Sequence, residues 1–366
     1  MKIITVVALT FLVYSAVVVA DSNEPTGQFL LYRGMSDASA AVAVSDDMFV
    51  VADDENNILR VYKSSEGGLP EFCFDMTDFL GVKPEYPEAD IEGATIVGDR
   101  IYWITSHGRN KDGKMRPNRY RFFATKVLVE GGKVRIEPLG KPCKTLIHRL
   151  VQTQTGLRLG LDKATRFDKA SLTKKDLEKL APKKQGLNIE GLCESADGKT
   201  IYIGFRNPLV YDRVTRRGKA IVLPLNNPQA VVEKGQAPIF GGPMLWDLGG
   251  LSIRSMEYSH FHKAYFIVAG PADERPGFTL YRWSGEKESL PVLVRQLGPS
   301  DFSPEAIVPF RNSSRLLLLS DDGTLPVKVL SASQCQEGEL RADGTCPNKS
   351  LTDPDKKTFR GIWLEP

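Results

Sequence analysis

The sequence lacks the short motifs that mark several large classes of enzyme. It contains no GxSxG, HExxH, GxGxxG or GxxxxGK[ST] segment, which argues against serine hydrolases with a nucleophile elbow, zinc proteases, dinucleotide-binding folds and P-loop nucleotide hydrolases. It has four histidines and no CxxC pair, so a structural zinc site is not expected. The 48 Lys and Arg residues against 45 Asp and Glu give no support for nucleic-acid binding.

Long apolar runs are also rare, and the one that approaches a membrane span begins the chain. Met1-Lys2 precedes an apolar stretch from Ile3 to Ala20, with small residues before Asp21. A basic start, an apolar middle and a small-residue end predict a secretory signal peptide at 1–20. An uncleaved membrane anchor is the alternative. After cleavage we expect a secreted or periplasmic protein with no membrane contact.

All five cysteines follow this segment, and export would permit disulfides. Cys335 and Cys346 enclose a polar, glycine-containing tail loop (about 333–350), so we expect them to pair. The pairing of the other three stays open: Cys73, Cys143 and Cys193. Asn312-Ser313-Ser314 and Asn348-Lys349-Ser350 are N-glycosylation sequons if the source is eukaryotic, which would make the protein a glycoprotein.

The rest of the chain is dominated by short β-type runs, and five of them share one strand–turn–strand pattern. In the clearest copies, DIEGATIV and NIEGL each lead through a glycine-containing turn into a second apolar strand. The copies begin near Asp37, Asp90, Asn188, Arg254 and Ser303. A second pair of strands follows four of them, and four strands per repeat predict an all-β fold, a β-propeller with five blades. The uneven spacing leaves a sixth blade open.

Two further features complete the predicted architecture. Apolar strands at opposite chain ends, Phe29–Tyr32 and Phe359–Leu364, would close the ring by pairing. The interval of about 144–186 predicts a short helical insertion, with Thr173 and Asp176 as a capping box and Pro182 as its stop. The basic stretch 162–184 is either a partner surface or a solvated rim. We expect 21–366 to be a single propeller domain and a monomer.

Propeller geometry brings residues that are distant in sequence to one mouth of the central channel. The entry to each innermost strand and the exit from each second strand lie on the same face. The entries carry acidic residues: Asp37, Asp90, Glu92, Glu190, Glu257 and Glu305. The exits carry polar and basic residues, among them Asp53, His107, Arg109, Arg206, Asn207 and Asp321. The sequence therefore predicts a site at this mouth.

A ring of carboxylates needs a bound cation, hydrogen-bonded arginines or shared protons to offset its repulsion. Carboxylate oxygens suit calcium better than zinc. We predict as metal ligands Glu92, Glu190, Glu257, Glu305 and Asp90. The alternative is a structural role, in which these carboxylates accept backbone N–H groups where blades pack.

Catalytic and substrate-binding roles follow from the same convergence. We predict that His107 moves a proton, or else hydrogen-bonds a loop carbonyl, while Arg109 and Arg206 neutralise charge that develops on the substrate. The residues predicted to bind the substrate are Arg254, Asn207, Asp53 and Asp321.

Three segments resemble a bacterial domain-of-unknown-function family, number 3616, in the same order from about Ser36 to Val308. They are DIEGATIVGDRIYWITSHGRNKDGKMRPNRYRFFATKV, GLNIEGLCESADGKTIYIGFRNPL and the later DLGGLSIRSMEY. The resemblance implies a propeller and no particular reaction. The repeated EGA or EGL with a DGK-type turn is similar, over a shorter stretch, to the esterase-like phytase family, which implies calcium-assisted hydrolysis of phosphoesters.

The residues and the resemblance lead to one hypothesis and one alternative. The hypothesis is a secreted propeller with a channel-mouth site for calcium and an anionic small molecule, acting as a hydrolase on ester or phosphoester bonds. The alternative is a non-catalytic module that binds a glycan or a protein at the same face.

Overall fold

The computed structural model describes residues 28–169, 171–273, 275–299 and 301–366. The predicted signal peptide at 1–20 lies outside the described residues. None of the helices in this described part has the length and hydrophobicity that a membrane span requires.

Five antiparallel sheets form the five blades of a β-propeller, which confirms the predicted fold class and leaves no sixth blade in the described residues. Strand β1 (Leu30–Arg33) belongs to the last blade. The first blade contains β2 (Ala38–Ala43), β3 (Met48–Asp53), β4 (Ile58–Lys63) and β5 (Phe72–Asp75), followed by helix α1 (Thr77–Leu80). The second contains β6 (Ile91–Val97), β7 (Arg100–Thr105), β8 (Phe122–Glu130) and β9 (Lys133–Cys143).

The last three blades follow the insertion. Its helices are α2 (Leu146–Leu150), α3 (Gln154–Arg158), α4 (Leu161–Thr165) and α5 (Lys174–Lys179). The third blade contains β10 (Asn188–Glu194), β11 (Ile201–Asn207), β12 (Val210–Tyr211), β13 (Gly218–Leu225) and β14 (Met244–Trp246), with α6 (Pro228–Lys234) before β14. The fourth contains β15 (Ser252–Ser259), β16 (Ala264–Gly270), β17 (Phe278–Trp283) and β18 (Val292–Leu297). The fifth contains β19 (Pro304–Pro309), β20 (Leu316–Ser320) and β23 (Thr358–Leu364), while β21 (Pro326–Lys328) and β22 (Thr345–Pro347) form a separate hairpin.

The hydrophobic core lies in five layers between neighbouring blades. The second strand β16 is buried along its whole length because both of its faces pack against an adjacent blade, whereas the outermost strand β18 is largely exposed. Gly93 and Gly191, which each follow a glutamate, allow neighbouring blades to approach closely because they have no side chain. A methyl group on Gly93 would lie 3.1 Å from the Cβ of Leu192, and one on Gly191 would lie 2.9 Å from Ile253.

The two chain ends pair as predicted. Strand β1 is the outermost strand of the fifth blade and lies antiparallel to β23, with Leu31 opposite Arg360. Tyr32 of β1 is fully buried and stacks on Phe359, with ring centroids 4.9 Å apart. The fifth blade therefore combines strands from both ends of the chain, and the ring has no open gap there.

A helix cap in the insertion and a disulfide in the tail were both predicted from the sequence. The Thr173 hydroxyl accepts a hydrogen bond from the backbone N–H of Asp176, which caps α5. The sequence indicated only this helix, and three further short helices precede it. In the tail, Cys335 and Cys346 form the predicted disulfide. The remaining three cysteines are free thiols in the described chain: Cys73, Cys143 and Cys193.

Candidate functional site

The innermost strand of every blade contains a β-bulge near its start. In each case one residue has no cross-strand partner, for example between Ile91, which faces Thr105, and Gly93, which faces Ile104. The five bulged residues are Ser39, Glu92, Glu190, Arg254 and Glu305. Because a bulge re-aims a side chain that would otherwise follow the pleat, the repeat places one polar side chain per blade at the same level.

Four of these five residues line one cavity of about 710 Å³ at the channel mouth: Glu92, Glu190, Arg254 and Glu305. This volume falls within the range that ordinarily holds a small molecule. The fifth, Ser39, instead donates a hydrogen bond to the carbonyl of Ile91 in the next blade, 2.5 Å away. The predicted convergence of blade entries is therefore seen for these residues.

One half of the cavity wall is an arginine–glutamate network. Glu190 lies between two guanidinium groups, with Oε1 2.6 Å from Nη1 of Arg206 and Oε2 2.6 Å from Nε of Arg254. Arg254 also contacts the carboxylate of Glu305. Burial alone would raise the pKa of Glu190, but the two arginines more than offset it and the net pKa is lowered. Glu190 is therefore ionised and neutralised.

Arg206 has little capacity left for a ligand. Its remaining donors reach the carbonyl oxygens of Ala272 at 3.0 Å and Asp273 at 3.1 Å. The guanidinium thus fastens the blade-four loop to Glu190. For Glu190 and Glu305, arginines therefore offset the repulsion between the carboxylates.

The other half of the wall is acidic. Ligand oxygens of Asp54, Asp90 and Glu92 lie within 4.8 Å of one another, and Asp54 belongs to a second such group with Asp37 and Asp53. Asp90 forms an ion pair with Arg119 at 2.9 Å. This acidic group of Asp54, Asp90 and Glu92 is called the acidic floor below.

Glu92 is a buried residue of the acidic floor that has no direct ion-pair partner in the described chain. Its side chain is 8% exposed, and the described residues offer it neither a hydrogen bond nor an ion pair. Burial, followed by the charges of Asp90 and Glu190, raises the pKa of Glu92 well above its usual range. Oδ1 of Asp54 is likewise buried without a partner among the described residues. The Asp54 oxygen is therefore an acceptor that a bound cation could satisfy.

The remaining predicted acidic residues take different positions. Asp321 lines the cavity, and its backbone bridges to Asp37. Asp53 does not line the cavity; one of its oxygens accepts the backbone N–H of Glu55 at 2.9 Å. Burial raises the pKa of Asp53 to about 6. The adjacent Asp54 is the residue that reaches the site.

Glu257 is not part of the cavity. It lies three residues beyond the bulged Arg254, about 10 Å further along the strand. There its carboxylate accepts a hydrogen bond from Thr95, with 3.4 Å between the oxygens, and it neighbours Glu194. His260 contacts that same Glu194 at 2.8 Å. The sequence prediction placed Glu257 at the channel mouth in blade four. The bulged residue that occupies this position is Arg254.

His107, Arg109 and Asn207 leave the second strands at the predicted face but point away from the cavity. The backbone of His107 has φ of 52°, which turns the chain, and its Nδ1–H donates to the Thr105 carbonyl at 2.8 Å. Burial lowers the pKa of His107 to about 4, so the imidazole is neutral at pH 7. The carbonyl contact considered as its alternative is what the structure shows.

Arg109 and Asn207 hold the insertion in place. Arg109 donates to the carbonyl of Thr165 at the end of α4, at 2.8 Å. The side-chain amide of Asn207 donates to the carbonyl of Pro182 at 2.6 Å. Their geometry is that of positioning residues, because neither side chain lines the cavity.

Basic residues that the site prediction did not include form one rim of the cavity. They come from the loop after β7 and from the end of the insertion: Lys111, Arg116, Lys183 and Lys184. This set is called the basic wall below. The sequence showed both segments to be basic, but only packing of the insertion against blade two shows that they meet.

The fold and site define a five-bladed β-propeller with a mixed-charge cavity at one mouth. Solved structures similar to this chain include a glutaminyl cyclase from Myxococcus xanthus, at 10% identity over 80% of this chain and 88% of that chain, with a TM-score of 0.38. The PQQ-bound aldose sugar dehydrogenase from Streptomyces coelicolor is similar over 93% and 99% of the two chains, at 9% identity and a TM-score of 0.36. Likeness this distant concerns the fold alone.

The family is fixed by a more specific match. A family model described as protein of unknown function (DUF3616) matches residues 37–130 and 149–296. These ranges cover most of the propeller, so the chain belongs to this family and the predicted resemblance is confirmed. No curated protein matches the chain.

Proposed function

We propose that this protein binds a divalent cation, calcium in the first instance, on the acidic floor and uses it to hold an anionic small molecule in the cavity. The observation that carries the proposal is Glu92, a buried carboxylate of the cavity wall without a partner among the described residues. A bound cation would offset the mutual repulsion of Asp54, Asp90 and Glu92, which burial intensifies.

The donor set fits calcium in chemical type. Hard carboxylate oxygens are the ligands that calcium prefers, and its flexible coordination accepts water for the remaining positions. The grouping of ligand oxygens within 4.8 Å is compatible with one ion. The proposed ligands are Asp54, Asp90 and Glu92. Asp90 and Glu92 were also predicted from the sequence, whereas the predicted ligands Glu190 and Glu305 are neutralised by arginine.

Hydrolysis of an ester or phosphoester is the reaction we propose for this site. A bound divalent cation supplies Lewis-acid polarisation and lowers the pKa of a coordinated water. Arg206 and Arg254 keep the adjoining wall rigid through Glu190. The walls of the 710 Å³ cavity would orient the substrate and limit its access to bulk water.

A non-catalytic binding module is the second candidate, and one observation favours it. None of the four histidines, all within the described residues, lines the cavity, so the commonest proton-transferring side chain is absent there. Such a module would bind an anionic glycan or a protein without turnover. The tail disulfide supports export to an oxidising compartment for either candidate.

Two measurements test the proposal in order. Isothermal titration of the chelator-treated protein with calcium should show binding that is lost in Glu92→Gln and retained in Glu257→Gln, a matched buried glutamate outside the cavity. A panel of aryl phosphates, aryl esters and lactones then distinguishes the candidates. Calcium-dependent turnover supports the hydrolase, calcium-dependent binding without turnover supports the module, and no calcium binding to the wild type rejects both.

A further inference from the structure

The basic wall is built from two chain segments that would repel each other in isolation. Lys111 lies in the loop after β7, and Lys184 lies at the end of the insertion, more than 70 residues later. Neither lysine forms an ion pair with a described carboxylate. Both side chains are exposed at the rim of the cavity, where their positive charges would attract an anion.

Buried hydrogen bonds hold the two segments together. Arg109 donates to the carbonyl of Gly113 in the first segment at 3.1 Å and to Thr165 of the insertion at 2.8 Å. Asn207 fixes Pro182, two residues before Lys184, from the third blade. The 6% exposure of Arg109 shows that this connection is internal to the fold. The fold therefore holds the two backbone segments together at the rim of the cavity.

The other basic side chains nearby are already occupied. Arg119 forms ion pairs with Glu88 and Asp90, and Arg116 lies over the ring of Tyr86 at 4.6 Å. Arg116 keeps its charge but is held against the ring, and Lys183 has an interaction of its own. We therefore assign the binding of an anion to Lys111 and Lys184, which have no ion pair with a described residue. Long flexible ammonium groups suit a phosphate or carboxylate that varies somewhat in position.

We infer that the substrate carries two separated anionic groups, one held at the acidic floor through the cation and the other held by Lys111 and Lys184. This inference rests on the proposed function, because the cation is needed for the first group. The cavity of about 710 Å³ is far larger than one phosphate and has room for a small scaffold between two. A bisphosphorylated sugar belongs to the chemical class that fits both ends.

The test compares two probes that differ by one phosphate, fructose 1,6-bisphosphate and fructose 6-phosphate, at a fixed free calcium concentration. Binding of each probe to the full protein is measured by isothermal titration. The test variant is Lys111→Gln with Lys184→Gln. The control variant is Lys174→Gln with Lys175→Gln, which removes the same charge from helix α5 of the insertion without altering the cavity lining.

The wild type and the control should bind the bisphosphate about tenfold or more tightly than the monophosphate, since lysine–phosphate contacts are charge-assisted. The test variant should reduce this ratio to near one. Equal affinities in the wild type, or an unchanged ratio in the test variant, would overturn the inference while leaving calcium binding intact. Loss of calcium binding itself, measured beforehand, would overturn both this inference and the proposed function.

Discussion

Replacing Glu92 by Gln distinguishes a cation site from a purely structural role of the channel glutamates. Without cation, the substitution removes a buried charge that faces Asp90 and Glu190, so it should raise the free energy of unfolding. With calcium, it removes one of three proposed ligands and should abolish the stabilisation that binding confers. A structural glutamate would show neither pattern, because its loss would only destabilise the fold.

The size of the calcium effect follows from linkage. A ligand at a hundredfold excess over its dissociation constant stabilises the native state by about 2.7 kcal/mol. For a chain of this length, 1 kcal/mol shifts the melting temperature by about 1.5 °C, because the entropy of unfolding scales with residue number. Calcium should therefore raise the melting temperature of the wild type by about 4 °C, and that of Glu92→Gln by less than about 1 °C.

Differential scanning calorimetry in chelator and then in calcium measures both effects on the same samples. Glu257→Gln is the matched control, since Glu257 is 5% exposed against 8% for Glu92 and lies outside the cavity. This control should keep the calcium shift. A wild-type melting temperature that ignores calcium, or a Glu92→Gln shift as large as the wild type's, would refute the assignment of the acidic floor as a cation site.

Three further predictions address other parts of the molecule. Glu190→Gln should lower the free energy of unfolding by about 3–5 kcal/mol in urea denaturation, with or without calcium, because buried Arg206 loses its carboxylate partner and buried Arg254 keeps only Glu305. A selective loss of the calcium shift would contradict this. Burial, partly offset by Arg119, raises the pKa of Asp90 to about 6, so the cation-free protein should lose stability as the pH rises from about 4 to 6, since its folded state holds that proton more tightly. The calcium-induced shift should correspondingly be smaller at pH 5 than at pH 7, and a pH-independent shift would exclude Asp90 as a ligand. Reducing the Cys335–Cys346 disulfide, which joins residues 11 apart, should weaken local stability by up to about 3 kcal/mol, seen as faster hydrogen exchange in β21 and β22; unchanged exchange would show that the hairpin does not depend on the bridge.

The repeat made the fold predictable from sequence. Each copy contributes an apolar strand pair with its own turn, so the number of blades follows from the number of copies. The strands at the two chain ends supplied the closing pair. The insertion was less accessible, because its helices have only five or six residues each and their short patterns carry little periodicity.

Part of the cavity lining was predicted from the sequence. The distance of each residue from the end of its strand explains why Glu257 was predicted to line the cavity and does not. Glu92 and Glu190 lie five and four residues before the ends of β6 and β10, which is where the bulges occur. Glu257 lies only two residues before the end of β15, whereas Arg254 lies five before it. The distance to the hairpin turn, rather than the presence of an acidic residue, would have identified the channel position in blade four.

The exits of the second strands could not be assigned from spacing. His107 and Arg109 follow β7 at the predicted face, but a left-handed backbone turn and contacts with the insertion direct them outward. Such contacts depend on tertiary packing over more than 50 residues. The same packing creates the basic wall, which is why its lysines emerged only from the structure.

The pairing of β1 with β23 has a consequence for biosynthesis. Residues 30–33 leave the ribosome first among the propeller strands, yet their partner at 358–364 is translated last. The nascent protein must keep β1 unpaired until residues 358–364 have been synthesised, and contacts between such distant segments form slowly. A truncated protein that lacks β23 would leave the edges of β1 and β20 unpaired. Such exposed strand edges are prone to self-association.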